Sequence, residues 1–217
     1  MLAGLFKTIS QGENVQLDLI EEDALTQEGL QPYTALVVSE PNIPTEGQAA
    51  IVAWLQAGGH LLSVSGAATY DRYDRPSSVL SDVTGFVEVP RERLLVSGSQ
   101  RLSPVANGTG VAGNITAFGL RGRLRSVDIS QTDWLANFSD GTPAILRRNN
   151  ISGGSGSATH FAYLPCVHFR QMDPYHPDPK FNSIMSDGSL AYLQQFLVKS
   201  GVEPRAHVSA EVSTARL

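Results

Sequence analysis

Ser65-Gly66-Ala67 is where nucleophilic chemistry would be simplest to build in this 217-residue chain. A nucleophile elbow needs a sharp strand-to-helix turn with small neighbours. It also needs an adjacent base, because a serine hydroxyl is otherwise a weak nucleophile. Ser65 has the small neighbours, and His176, in Tyr175-His176-Pro177-Asp178, is the histidine to consider as its base. Cys166 is a second candidate nucleophile. It follows Pro165 at the end of a strand-like run, where a lone cysteine also serves as a small buried apolar side chain. Cys166, His168, Asp173, His176 and Asp178 are metal-ligand types within thirteen residues. Their spacing matches no zinc motif, and three prolines keep the segment extended. His168, Asp173, His176 and Asp178 therefore stand only as weak metal candidates, and no cofactor is expected.

Directly after the elbow come Tyr70, Asp71, Arg72 and Tyr73, then Asp74 and Arg75. Aromatic rings stack on the apolar faces of sugars, and carboxylates and guanidinium groups bond hydroxyls. This loop is thus a candidate carbohydrate-binding or intersubunit element. Phe169, Tyr175, His176 and Phe181 give the 165–181 segment a composition suited to packing on a partner or a sugar. Gly108-Thr109-Gly110 and Gly153-Gly154-Ser155-Gly156 lack a following lysine and helix start, so neither is a phosphate-binding loop.

These residues must be positioned by the elements around Tyr33–Asp74. Thr34–Ser39 is a β-branched apolar run without alternation, as in a strand buried on both faces. Pro44 and Thr45 open a helix in which Ala49, Val52, Ala53 and Leu55 recur at helical spacing beside Trp54. Gly58-Gly59 stops it, and His60–Val64 is a second buried strand. Strand, helix, strand makes a right-handed crossover and a parallel pair, with Ser65–Thr69 at the carboxyl edge where ligands bind.

That strand, helix and small-residue turn resemble the class I glutamine amidotransferase-like fold. They are most similar to its non-catalytic versions in glycoside hydrolases, such as the trimerisation domain of family 42 β-galactosidases. The resemblance is clearest over residues 33–85 and returns at Ala136–Gly141 and Pro143–Leu164. It implies that Ser65 stands where catalytic amidotransferases carry a cysteine, and that Tyr175-His176-Pro177-Asp178 resembles their His-Pro-Glu motif. That family motif directly follows a late strand, whereas His176 lies eleven residues beyond Pro165. The resemblance therefore implies a non-catalytic module that serves oligomer assembly or encloses a substrate site. The alternative is a free-standing hydrolase using Ser65 or Cys166 with a histidine base.

The fold expected is a three-layer, flavodoxin-like α/β domain over residues 1–202, with a mainly parallel sheet. Strands at 15–20, 34–39 and 60–64 should lie in its centre, helix 44–57 on one face, and residues 142–164 should add a β-hairpin. Met1 leads into Leu2, Leu5, Phe6 and Ile9, an amphipathic helix standing where such a domain would have its first strand. We therefore expect the first strand, or an upstream domain, to be missing, and a homo-oligomer or a contact with that domain to cover the exposed edge through some of Tyr70, Tyr73, Phe169 and Tyr175. Ser97–Asn114 reads as an exposed insertion, and Arg121–Ile129 as one half-buried strand with Arg121, Arg123 and Arg125 on its solvated face. Ser189–Val198 is a closing helix, and 203–217 reads as a disordered tail.

A net charge of −5 gives no footprint for nucleic acid or an anionic membrane surface. No apolar run approaches the roughly 20 residues that span a bilayer, and no signal peptide opens the chain, which favours the cytoplasm. Asn107, Asn114, Asn137 and Asn150 head glycosylation sequons that matter only in a secreted protein.

Overall fold

In the computed structural model we describe residues 15–89, 94–104, 115–126, 129–165 and 188–202, with Leu5, Ile9 and Ser10. The first described residues include buried Leu5 and Ile9; Val15–Ile20 runs without helix or ladder towards a 3-10 turn at Glu22–Ala24. Helix α1 (Gln27–Leu30) is capped by Thr26, whose hydroxyl accepts the Gly29 N–H. Strand β1 (Ala35–Val38), helix α2 (Thr45–Gln56) and strand β2 (His60–Val64) follow in the expected order. Strand β1, however, is not buried on both faces: Leu36 and Val38 are buried while Ala35 and Val37 are only half-buried, because β1 is an edge strand. Gly58, at φ +111°, reverses the chain after α2. At Gly59 a Cβ would collide with the Trp54 ring. The buried stripe of α2 is Gly47, Gln48, Ile51, Trp54 and Leu55, while Ala49 faces solvent.

Helix α3 (Val79–Thr84) ends at Gly85, left-handed at φ +75°, and leads into β3 (Phe86–Glu88). Strands β4 (Leu94–Pro104), β5 (Ile115–Arg121), β6 (Leu124–Ser126), β7 (Thr132–Asn137), β8 (Pro143–Arg148) and β9 (Ser157–Phe161) precede helix α4 (Gly188–Lys199). Among the described residues the strands form a seven-stranded sheet, β1-β2-β9-β8-β7-β4-β5, and a two-stranded sheet, β3-β6. The pairs β1-β2 and β2-β9 are parallel, and the order continues antiparallel through β8, β7, β4 and β5. Every residue of β9 is buried, as is β2 from Leu61 onward. Strands buried on both faces need a covering layer on each side, and the fold is a three-layer α/β arrangement.

The structure corrects several expectations. Val15–Ile20 is not a strand: it makes no ladder with a described strand, Leu17 and Ile20 are only half-buried, and Leu19 is exposed. Strand β1 therefore sits at the edge of the sheet, and its centre falls further along the order. The 142–164 hairpin is present as β8-β9, but it lies inside the sheet, with β9 beside β2. Ser97–Pro104 belongs to β4, whose register shifts between Val96 and Gln100, so the Ser97-Gly98-Ser99 run marks a bulge. Arg121–Ile129 is broken at Gly122-Arg123, where the chain passes from one sheet to the other. Arg121 is largely buried: it pairs with Asp140 at 2.6 Å and lies 4.7 Å above the Phe138 ring. Residues 105–114 and 203–217 lie outside the described residues.

Candidate functional site

The turn after β2 has the shape of an elbow. Gly66 adopts φ +82° and Ala68 φ +53°, a left-handed conformation that a residue with a Cβ rarely takes. The turn is fastened by hydrogen bonds from Ala67 N–H to Val64 C=O, from Ala68 N–H to Glu40 C=O and from the Thr69 hydroxyl to Gly66 C=O. Ser65 is 6% exposed at its apex.

Two side chains that the sequence reading passed over complete this site. Glu88 ends β3, and its Oε2 accepts the Gly66 N–H at 2.5 Å. His160 lies on β9 opposite Ser63 of β2, and its Nδ1 is 2.7 Å from the Ser63 hydroxyl. Its Nε2 stands 3.8 Å from Glu88 Oε1, and the Phe86 ring flanks the imidazole. Ser63, His160 and Glu88 thus form a hydroxyl–imidazole–carboxylate chain. All three side chains are buried within the domain.

Burial alone would push the Glu88 carboxyl up. The His160 ring, the Ser65 hydroxyl and the Gly66 N–H favour the carboxylate and outweigh it, so the group titrates below its usual range. Ser65 Oγ, Glu88 Oε1 and His160 Nε2 are all buried and act on one another at close range, the last two 3.8 Å apart, though none makes a hydrogen bond of normal geometry. Gly122, between β5 and β6, closes over them: its N–H donates to Ala162 C=O, and a Cβ there would collide with Glu88 Oε1 and stand 2.8 Å from Ser65 Oγ. A pocket of about 260 Å³ is lined by Glu88 and His160 together with Thr69, Ser77, Ser81 and Thr84.

The chemical consequence is specific. In a working elbow, the N–H of the residue after the nucleophile stabilises the oxyanion. Here that N–H is Gly66, and an internal carboxylate already occupies it. The hydroxyl of Ser65 faces a carboxylate and a glycine backbone, and the nearby imidazole is bonded to Ser63 instead.

The loop beyond the elbow is held from within. Asp71 Oδ1 accepts the N–H groups of Tyr73 and Arg75, and Oδ2 accepts Arg75 Nε and pairs with its Nη2 at 2.7 Å. The Arg75 backbone bond leads in holding the Asp71 carboxyl below its usual range. Arg72 pairs with Glu46, the Arg75 guanidinium lies over the Tyr73 ring, and Tyr73 itself is 70% exposed. Gln48, fully buried on α2, donates to the Ile43 and Tyr70 carbonyls and accepts from the Ser77 hydroxyl. Of the candidates, Ser65 and Tyr70–Tyr73 therefore share one sheet edge. Cys166, His168, Phe169, Asp173, Tyr175, His176, Asp178 and Phe181 lie outside the described residues. Among the described residues no three His, Cys, Asp or Glu side chains are grouped to hold a metal ion. No helix among them is long and apolar enough to cross a membrane.

Glu88 and His160 left a faint signal in the sequence: each is an ionisable side chain beside strongly apolar neighbours, Phe86-Val87 and Val89 for Glu88, and Phe161-Ala162 for His160. Such residues need a buried partner. Sequence spacing does not say that they partner each other.

No family profile and no curated protein matches the sequence. Solved structures do. The chain superposes on Gan42B, a GH42 β-galactosidase from G. stearothermophilus, with TM-score 0.68 and 13% identity over 96% of this chain and 27% of that one. A β-galactosidase from Rahnella sp. R3 gives TM-score 0.63 and 19% identity, covering 75% of this chain and 24% of the enzyme. A cytoplasmic protein from Salmonella typhimurium LT2 gives TM-score 0.64 and 16% identity, covering 93% of this chain and 86% of that one. The chain spans about a quarter of the β-galactosidases it resembles, and 86% of the Salmonella protein. At these identities the likeness shows a shared fold.

Proposed function

We propose that this chain is a non-catalytic, amidotransferase-like module of a glycoside-hydrolase-associated protein, serving oligomer assembly or the enclosure of a substrate site. The observation that carries the reading is the Glu88 carboxylate on the Gly66 N–H, with Gly122 packed over Ser65. Together they fill the space and the donor that acyl transfer at Ser65 would use. The likeness to one domain of GH42 β-galactosidases supports the association with glycoside hydrolases. Its partners on this reading are further copies of the chain or a neighbouring hydrolase domain, met through the sheet edge that carries Tyr70 and exposed Tyr73. Light scattering across a concentration series tests the assembly role: a defined oligomer that Tyr73→Ala weakens supports it. A monomer that persists to high micromolar concentration, alone and with an added family 42 catalytic domain, removes it.

A further inference from the structure

Strand β1, with its outer edge unpaired among the described residues, lines a groove of about 890 Å³, which Val15–Ile20 lines as well. Ile51 of α2 and Phe196 and Leu197 of α4 contribute apolar lining from the two helices. A six-residue strand rises about 20 Å, takes about 4.8 Å of sheet width and fills a layer about 10 Å deep, close to 1,000 Å³ in all. The volume of the groove is thus close to that of one such strand.

Its walls also carry the bonding that a strand needs. His60 N–H donates to Thr34 C=O, and the register sets Ala35 opposite His60. Amide direction alternates along a parallel ladder, so Leu36 and Val38 bond β2 while the N–H and C=O groups of Ala35 and Val37 point to the groove. Among the described residues no strand lies on that side. The rim is acidic: Asp18, Glu21, Glu22 and Glu40 line it. No Lys or Arg stands between Lys7 and Arg72, whereas nine acidic residues do.

We infer that this groove is a strand-receiving slot, taking an extended apolar segment with basic ends from another polypeptide. The segment adds to β1 by main-chain bonds to Ala35 and Val37, buries its side chains against both helices, and sets its cations against Asp18, Glu21, Glu22 and Glu40. Main-chain bonding would supply affinity, and the acidic rim would select the partner. The site is separate from the elbow and does not depend on whether Ser65 is inert.

The test is binding of a labelled peptide of about ten residues, valine and isoleucine in the middle and paired lysines at each end. Fluorescence anisotropy and amide hydrogen exchange read the result on the intact chain. Saturable binding is expected, at least about tenfold weaker for a peptide with two central prolines, which cannot complete the ladder. Exchange should slow by about tenfold or more at the Ala35 and Val37 amides, with little change at Leu36 and Val38, which β2 already protects. Glu21→Lys with Glu22→Lys, both exposed and so harmless to folding, should weaken the lysine-ended peptide several-fold and favour a glutamate-ended one. Equal binding of the proline peptide, unchanged exchange at Ala35 and Val37, or no binding up to the peptide's solubility limit would each overturn the inference. None of these outcomes bears on Ser65 or Glu88.

Discussion

The Glu88 carboxylate and the Gly66 N–H, 22 positions apart, meet at 2.5 Å at the residue next to Ser65. This contact joins the small β3-β6 sheet to the elbow at the end of β2. It satisfies a backbone donor that a strained turn would otherwise leave buried and unpaired, and it uses a charge-assisted bond to do so. The same contact removes the donor from any chemistry at the turn.

Gly122 makes the contact possible, because any side chain there runs into Glu88 and Ser65. We expect Gly122→Ala to destabilise the domain by about 1–3 kcal/mol, the range for forced overpacking. Urea unfolding measures it. In a Glu88→Ala background the added cost should shrink, since the colliding carboxylate is gone, and a double-mutant cycle would reveal that coupling.

Acid should act through Glu88. Its folded-state pKa lies below the ordinary glutamate value of about 4.3, so its stabilisation is fully present above that value and is lost as pH falls through the folded value. Unfolding measured across this range should show wild type losing stability more steeply than Glu88→Gln. The carboxyls of Asp71 and Asp140 are also held low, but they act equally in both proteins and cancel in the difference. Parallel pH profiles for the two proteins would exclude an ionised, stabilising Glu88.

Gln48 ties the loop after the elbow to α2. Gln48→Ala leaves the Ile43 and Tyr70 carbonyls without their side-chain donor and the Ser77 hydroxyl without its acceptor. The expected loss is about 2–4 kcal/mol, on the cost of buried polar groups left unpaired. Hydrogen exchange should show the opening concentrated over residues 69–77.

Asp71 holds the same loop by accepting from Tyr73 and Arg75. Asp71→Ala should speed tryptic cleavage after Arg72 under native conditions, with mass spectrometry locating the cut; the Arg75–Pro76 bond resists trypsin in both proteins. Cleavage unchanged from wild type would show that the loop is held by something else.

The parallel core was legible because its signals are local. The Thr34–Ser39 run, the helix opened at Pro44, the Gly58-Gly59 stop and the His60–Val64 run each rest on periodicity or glycine geometry within a few residues. What sequence could not provide was pairing between distant segments. β9 beside β2, and β8-β9 inside the sheet, depend on ladders between residues nearly a hundred positions apart, and apolar runs look alike at the centre and the edge. Val15–Ile20 has strand-like residues but pairs with no described strand, although the open edge of β1 borders the same groove. At the site, Ser65 was legible from its small neighbours. Glu88, His160 and Gly122 were not, because their roles exist only once three separate strands and a crossing segment converge.

Reactivity at Ser65 tests the central claim most directly. The chain would be treated with a fluorophosphonate probe and with a glutamine-directed electrophile, alongside Ser65→Ala, and the adducts mapped by mass spectrometry. With the Gly66 N–H taken by Glu88 and Gly122 over the hydroxyl, the account predicts no adduct at Ser65 and no hydrolysis of ester or glutamine substrates that differs between the two proteins. A stoichiometric adduct on Ser65 of the native chain, with turnover abolished by Ser65→Ala, would contradict it.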